Sequence, residues 1–288
     1  MVKVFGLIME NFTTEIKPKD KLFNLDLKEV WAKKYLLWLF IKRDILVQFK
    51  QTIFGLGWYF ISPLISTGIY IIIFSRVAGI PTDGIPQPLF YLSGVCLWNY
   101  FSQCLTKISE TFSSNADLFG KVYFPRLIIP ISQVVSHLFR FSIQMALFVV
   151  VYVVYAILGT HVSPNWYLLL FPVLVFMLGF TAMGLGLIIT SMTTKYRDLK
   201  NFFGVFVSLW MYATPVVYPM SVIKNETLAN IMRLNPLTSI TEAFKYGAMG
   251  AGEFSWGWLA YSFGIMVALL LIGMLMFNRR QKVFIDTI

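Results

Sequence analysis

The sequence predicts an all-α integral membrane protein. Six transmembrane helices follow an N-terminal amphipathic interface helix, and short re-entrant outer helices separate spans five and six. Three observations predict this. First, of 288 residues 57% are hydrophobic and only 13% charged, against roughly 25% charged in a soluble domain; the mean hydropathy is +0.70. Second, apolar stretches recur that are long enough to cross a hydrocarbon core of roughly 30 Å. Third, lysine and arginine are distributed asymmetrically. With the N-terminus inside, ten precede span one, three lie at or after the inner end of span two, and three follow each of spans four and six. Only four lie outside, and Arg140 is left in a span. Cytoplasmic loops carry such an excess, so both termini are placed inside. The net charge of +10 would suit nucleic acid, but the basic residues lie between apolar segments and form no patch, so topology accounts for them and no nucleic-acid partner is expected.

Taken in order, residues 1–30 are a lysine-rich cytosolic tail, and Lys17-Pro18-Lys19-Asp20-Lys21 has linker chemistry. Residues 1–12 hold a short apolar run interrupted by charge, without a small-residue cleavage site, so no cleavable signal is expected. The unit 31–57 contains the interface helix. Trp31, Tyr35, Trp38, Leu39, Ile45, Leu46 and Phe49 share one helical face, and Lys33, Lys34, Asp44 and Gln48 the other. Lys42 falls on the apolar side and must snorkel.

The transmembrane domain is 58–288. Span one covers 58–78, and Asp83-Gly84 with Pro81, Pro86 and Pro88 makes an outer turn. Span two, 89–110, carries Asn99, Gln103, Thr106 and Glu110 at spacings of four, three and four, which puts them on one face. Trp98, Tyr100 and Phe101 occupy the same turns. Residues 111–126 are polar and predict a short cytosolic helix broken at Pro125. Span three, 127–158, repeats the stripe with Gln133, His137, Arg140 and Gln144. Such a helix faces protein or water as well as lipid. Counting from Leu158, Arg140 lies about 27 Å down, near the inner headgroups. Span four, 166–192, has small residues for close packing at Gly179, Ala182, Gly184 and Gly186. Span five, 202–218, is broken by Pro215 and Pro219. Residues 227–249 predict two short helices dipping into the outer interface, with Asn235-Pro236 as N-cap and first turn. Span six covers 256–277.

The chain lacks the Gly-x-x-x-x-Gly-Lys-Ser/Thr phosphate loop, so it does not bind ATP that way. His137 and His161 are a whole span apart, which speaks against a metal site. Cys96 and Cys104 lie about 12 Å apart on one helix and predict buried, reduced thiols. No pair of mid-membrane carboxylates suggests an ion relay. Polar-striped helices without an engine predict a conduit driven by another protein.

Gln51-Thr52-Ile53-Phe54-Gly55-Leu56-Gly57-Trp58, followed by Pro63, resembles the membrane subunit of bacterial ABC exporters for cell-surface polysaccharide: O-antigen, capsule and teichoic acid. Tyr196-Arg197-Asp198, Thr214-Pro215 with Pro219, and Asn235-Pro236 extend the resemblance over nearly the whole chain. Phe54 stands where that family usually has leucine and Leu56 where it has proline, so the elbow before span one is less sharply bent. The resemblance implies a homodimer in the bacterial inner membrane with two copies of a separate ATPase, which carries the ATP and magnesium. This chain would bind no cofactor and catalyse no covalent step. The cargo implied is undecaprenyl-linked polysaccharide, most closely O-antigen. Channel-lining candidates are then Asn99, Gln103, Thr106, Gln133, His137, Arg140 and Gln144, and sugar-contact candidates Trp98, Tyr100 and Phe101. Lys42, Arg43, Asp117, Lys121 and Arg126 would receive the ATPase stroke. Helix packing is the alternative role for the stripes and the aromatics. The alternative functions are a drug or small-lipid permease and a membrane enzyme acting on lipid-linked sugars.

Overall fold

The computed structural model describes residues 27–49, 54–121, 124–160, 162–193 and 198–285, all helix and connection without a strand among them. Residues 1–26 of the expected tail, and Thr52, Tyr196 and Arg197 of the motifs, lie outside the described residues, whereas 27–30 of that tail are helical and open α1. The helices are α1 (Leu27–Ala32), α2 (Lys34–Phe49), α3 (Gly57–Tyr70, continued as π-helix to Val77), α4 (Gln87–Ser109), α5 (Thr111–Ser114), α6 (Ala116–Lys121), α7 (Ile128–Ile157), α8 (Phe171–Thr193), α9 (Leu199–Trp210), α10 (Glu226–Arg233), α11 (Pro236–Met249) and α12 (Trp256–Ile285). Four stretches are long and apolar enough to cross a membrane: Gly57–Val77, Ile128–Ile157, Trp166–Thr193 and Trp256–Arg280.

Helix α4 is the axis of the packing. Every residue from Leu89 to Trp98 is buried, so this part of the helix is enclosed on all sides by protein rather than by lipid on one. It packs against α7 and α8, and α8 packs against α12. The small residues of α8 permit this. A Cβ on Gly184 would lie 2.7 Å from the backbone of Leu269 and Leu270 in α12, and one on Gly273 would lie 2.5 Å from the Gly184 carbonyl oxygen. Two backbones in such contact gain dispersion energy where lipid supplies no hydrophobic drive.

Two elements differ from expectation. The interface helix is divided at Lys33 into α1 and α2. The expected span 202–218 is regular helix only over Leu199–Trp210, with a 3-10 turn at Met211–Ala213. Thr214 is extended, at ψ 141°, because a residue before proline is pushed out of the helical region. The chain then folds inward, and Val216 and Val217 are buried. Val216 rests where Gly94 of α4 has no side chain. The helix to Ala213 is about 22 Å long, short of a bilayer core.

The connection between α9 and α12 is built from capped pieces. The Asn225 side chain accepts from the Thr227 and Leu228 amides at the start of α10, and Asn235 from Leu237 at the start of α11. Each satisfies amides that the helix leaves unpaired. Gly250, at φ +74°, ends α11 in the left-handed region open to glycine. Helix α11 is largely buried against α12, the Trp166–Leu170 turn and α8.

Candidate functional site

At one end of the bundle, α2 docks on α7 with its Leu36, Leu37, Phe40 and Ile41 side turned inward, while Trp31, Tyr35 and Trp38 stay exposed. The sequence expectation placed Asp44 on a polar face. In the structure that face meets α7, where Gln133 Nε2 donates to Asp44 Oδ2 at 2.7 Å. Arg43 donates to the other carboxylate oxygen at 2.7 and 2.9 Å and lies over the Phe40 ring. Lys42 and Arg43 remain exposed. Phe40 lies tilted against Phe124, which stacks on Phe119, and Arg126 sits 5.0 Å from the Phe119 ring centre. Arg126 is thus buried within this junction, whereas Asp117 is exposed. Lys121 ends α6, and its side chain lies outside the described residues.

The α7 stripe faces protein within one chain. Beyond Gln133, Arg140 lies over the Tyr59 ring of α3 at 4.6 Å, a cation–π contact that tolerates burial of the guanidinium. His137 Nδ1 is 2.8 Å from the Gln133 carbonyl oxygen, and His137 and Gln144 are buried. The α4 stripe differs: Asn99 and Gln103 are half-buried and Thr106 is exposed. Trp98, Tyr100 and Phe101 are buried against other rings, Phe101 on Trp210 and Tyr100 on Phe141. Their ring faces are covered within the protomer. Of the remaining motif residues, Gly55 has φ +49°, Trp58 is exposed, Pro63 is buried in α3 and Asp198 precedes α9.

Two clusters were not singled out from the sequence. The first lies where the C-terminal ends of α4 and α8 meet α9, at an open groove of about 450 Å³ between apolar walls that include Leu105, Ile189, Phe203 and Val207. Thr106, Ser109, Glu110 and Lys200 lie at its polar end. Lys200 Nζ is 2.9 Å from Glu110 Oε1, and Lys107 Nζ is 3.9 Å from Oε2. Lys107 and Lys200 are distant in sequence, so nothing local announces the pairing.

The second cluster holds the broken end of α9. Asn235 Nδ2 donates to the Ala213 carbonyl and to Thr214 Oγ1, both at 2.9 Å. Lys245 Nζ donates to the Pro215 carbonyl at 2.6 Å and lies over the Phe90 ring. Glu242 is 3.8 Å from Lys245 and accepts from the Glu253 amide. Burial pushes the Glu242 carboxyl up and the Lys245 ammonium down from their ordinary values, each restrained by the other's charge. The i, i+3 spacing of Glu242 and Lys245, the two charged residues of α11, was the available signal.

Helices long and apolar enough to span, packed around a buried axial helix, define a multi-pass membrane protein. Residues 35–249 match the family described as ABC-2 type transporter. The chain belongs to that family: it is the membrane permease subunit of an ABC transporter and not an enzyme, and the family pairs with an ATPase component. It is 29% identical over 220 residues to the O-antigen export system permease protein RfbA of Myxococcus xanthus, covering 76% of this chain and 82% of that one. A protein of the same name from Klebsiella pneumoniae is 27% identical over 252 residues, covering 87% of this chain and 94% of that one.

Proposed function

We propose that this chain exports lipid-linked polysaccharide, most closely O-antigen, across the bacterial inner membrane. The observation that carries this reading is similarity to O-antigen export permeases along nearly their whole length. The working unit is a homodimer with two copies of a separate ATPase, which holds ATP and magnesium. The cargo is an undecaprenyl-linked glycan. Six spans, with both termini cytoplasmic, fit the lysine and arginine asymmetry. In that arrangement α4 crosses together with the four longer stretches, α9 completes the set of six only with the buried segment that follows Thr214, and the outer helices α10 and α11 dip into the interface.

The two polar stripes then divide the work. Asn99, Gln103 and Thr106 on α4 retain exposure and offer hydrogen bonds to sugar hydroxyls along the conduit. Gln133 and Arg140 on α7 are engaged by α2 and α3, so that stripe carries displacement of the interface helix into the bundle. The test is removal of the chain from its native cells. Build-up of undecaprenyl-linked glycan in the cytosolic leaflet, reversed by the wild-type gene, is the expected result. Normal surface glycan with altered drug or phospholipid efflux would overturn it in favour of a small-substrate permease.

A further inference from the structure

We infer that the outward face of α2 binds the headgroups of anionic phospholipid. Docking on α7 turns Leu36, Leu37, Phe40 and Ile41 inward and leaves the opposite side of the helix exposed. That side carries two rows of residues four apart: Trp38, Lys42 and Leu46, and Leu39, Arg43 and Val47. In each row a cation stands between two exposed apolar side chains. A face turned to water has no reason to expose tryptophan, leucine and valine at such spacing, and a face turned to hydrocarbon does not hold two cations. The headgroup layer takes both, with acyl chains against the apolar groups and phosphates against the cations.

Depth points the same way. Gln133, which donates to Asp44 beside these rows, lies about 36 Å along α7 from Ile157, and a hydrocarbon core is roughly 30 Å thick. This part of α2 thus stands just beyond the hydrocarbon. Charge then selects the lipid. Asp44 is the single carboxylate of α2, and it is engaged by Gln133 and Arg43. Lys42 and Arg43 against Asp44 leave a net positive charge, which an anionic headgroup neutralises and a zwitterionic one does not. The ATPase is the rival occupant of this face; the depth and the exposed aliphatic groups favour lipid.

The experiment places the full chain in phosphatidylcholine nanodiscs, with and without its ATPase partner, and reads the lipid beside α2 directly. A fluorophore is attached to the variant Val47→Cys, and the label is confined there because Cys96 and Cys104 are buried. Its quenching by a minor fraction of spin-labelled phosphatidylglycerol is compared with quenching by the same fraction of spin-labelled phosphatidylcholine. Phosphatidylglycerol is expected to be enriched roughly fivefold, the effect of one lysine near an anionic surface, and the enrichment should fall as salt rises. In the same background, Lys42→Gln should bring the ratio to about one, as expected once that single lysine's effect is gone. Trp38→Ala should reduce quenching by both lipids and leave their ratio unchanged, which separates the apolar contact from the charged one. Equal quenching by the two lipids, or enrichment that Lys42→Gln leaves intact, overturns the site. A label that neither lipid quenches, and that the ATPase shields from water, gives the face to the ATPase and overturns it too.

Discussion

Asp44 and Gln133 stand 89 residues apart, yet one hydrogen bond of 2.7 Å joins the interface helix to the long helix α7. A bond to an ionised partner that is largely out of water contributes about 1.5–3 kcal/mol. Asp44→Ala and Gln133→Ala should therefore couple in a double-mutant cycle by about 1 kcal/mol or more, read from thermal unfolding in detergent. Additive effects would mean that the contact carries no load. A larger effect belongs to Lys245, which is 1% exposed and holds the Pro215 carbonyl. Lys245→Met leaves Glu242 buried beside no cation and should cost about 3–5 kcal/mol. Adding Glu242→Leu should recover most of that loss, because replacing both partners of a buried pair by apolar groups is often neutral. A double variant no more stable than the single one would show that the capping of Pro215, rather than the pair, is what matters.

At the scale of elements, the tightest constraint is the crossing of α8 and α12. Gly184→Leu would drive a side chain into the backbone of Leu269 and Leu270, and overpacking of that kind costs about 1–3 kcal/mol or more. A fall in detergent-stable yield is expected, whereas Gly204→Ala, with nothing within 4 Å of its added carbon, should be recovered at wild-type level. The small residues that make this crossing possible could be read directly from the sequence, as could the cap Asn235, because both depend on local chemistry. The spans of α3, α7, α8 and α12 were legible for a similar reason, since length and hydropathy are properties of one segment. What the sequence concealed depends on neighbours. The stripe on α7 has helical periodicity whether it faces a conduit or another helix, and only the docking of α2 and α3 decides where Gln133 and Arg140 point. Trp98, Tyr100 and Phe101 likewise look the same as sugar platforms or as core. The groove was invisible because α4, α8 and α9 meet there from distant parts of the chain.

At the scale of the whole molecule, the family pairs with an ATPase component, and exposure at the α2–α7 junction separates residues able to meet a partner from those that cannot. Arg126 was grouped with the coupling cations, yet it is buried over Phe119. Arg126→Glu should therefore lower folding and yield before it alters any docking, because it places an anion among the rings of Phe119 and Phe124. Lys42 is exposed and has no such packing role. Lys42→Glu should leave thermal stability within about 0.5 kcal/mol of wild type, as surface substitutions usually do. If α2 meets an acidic patch on the ATPase, the same variant should reduce recovery of the ATPase with the tagged permease, and more so at low ionic strength, where exposed charges act over a Debye length of about 30 Å at 0.01 M. Equal recovery at low and high salt for wild type and Lys42→Glu would remove α2 as an electrostatic docking site. The stroke would then have to arrive through the apolar side of the interface helix, and the exposed Trp31, Tyr35 and Trp38 would be the next residues to change.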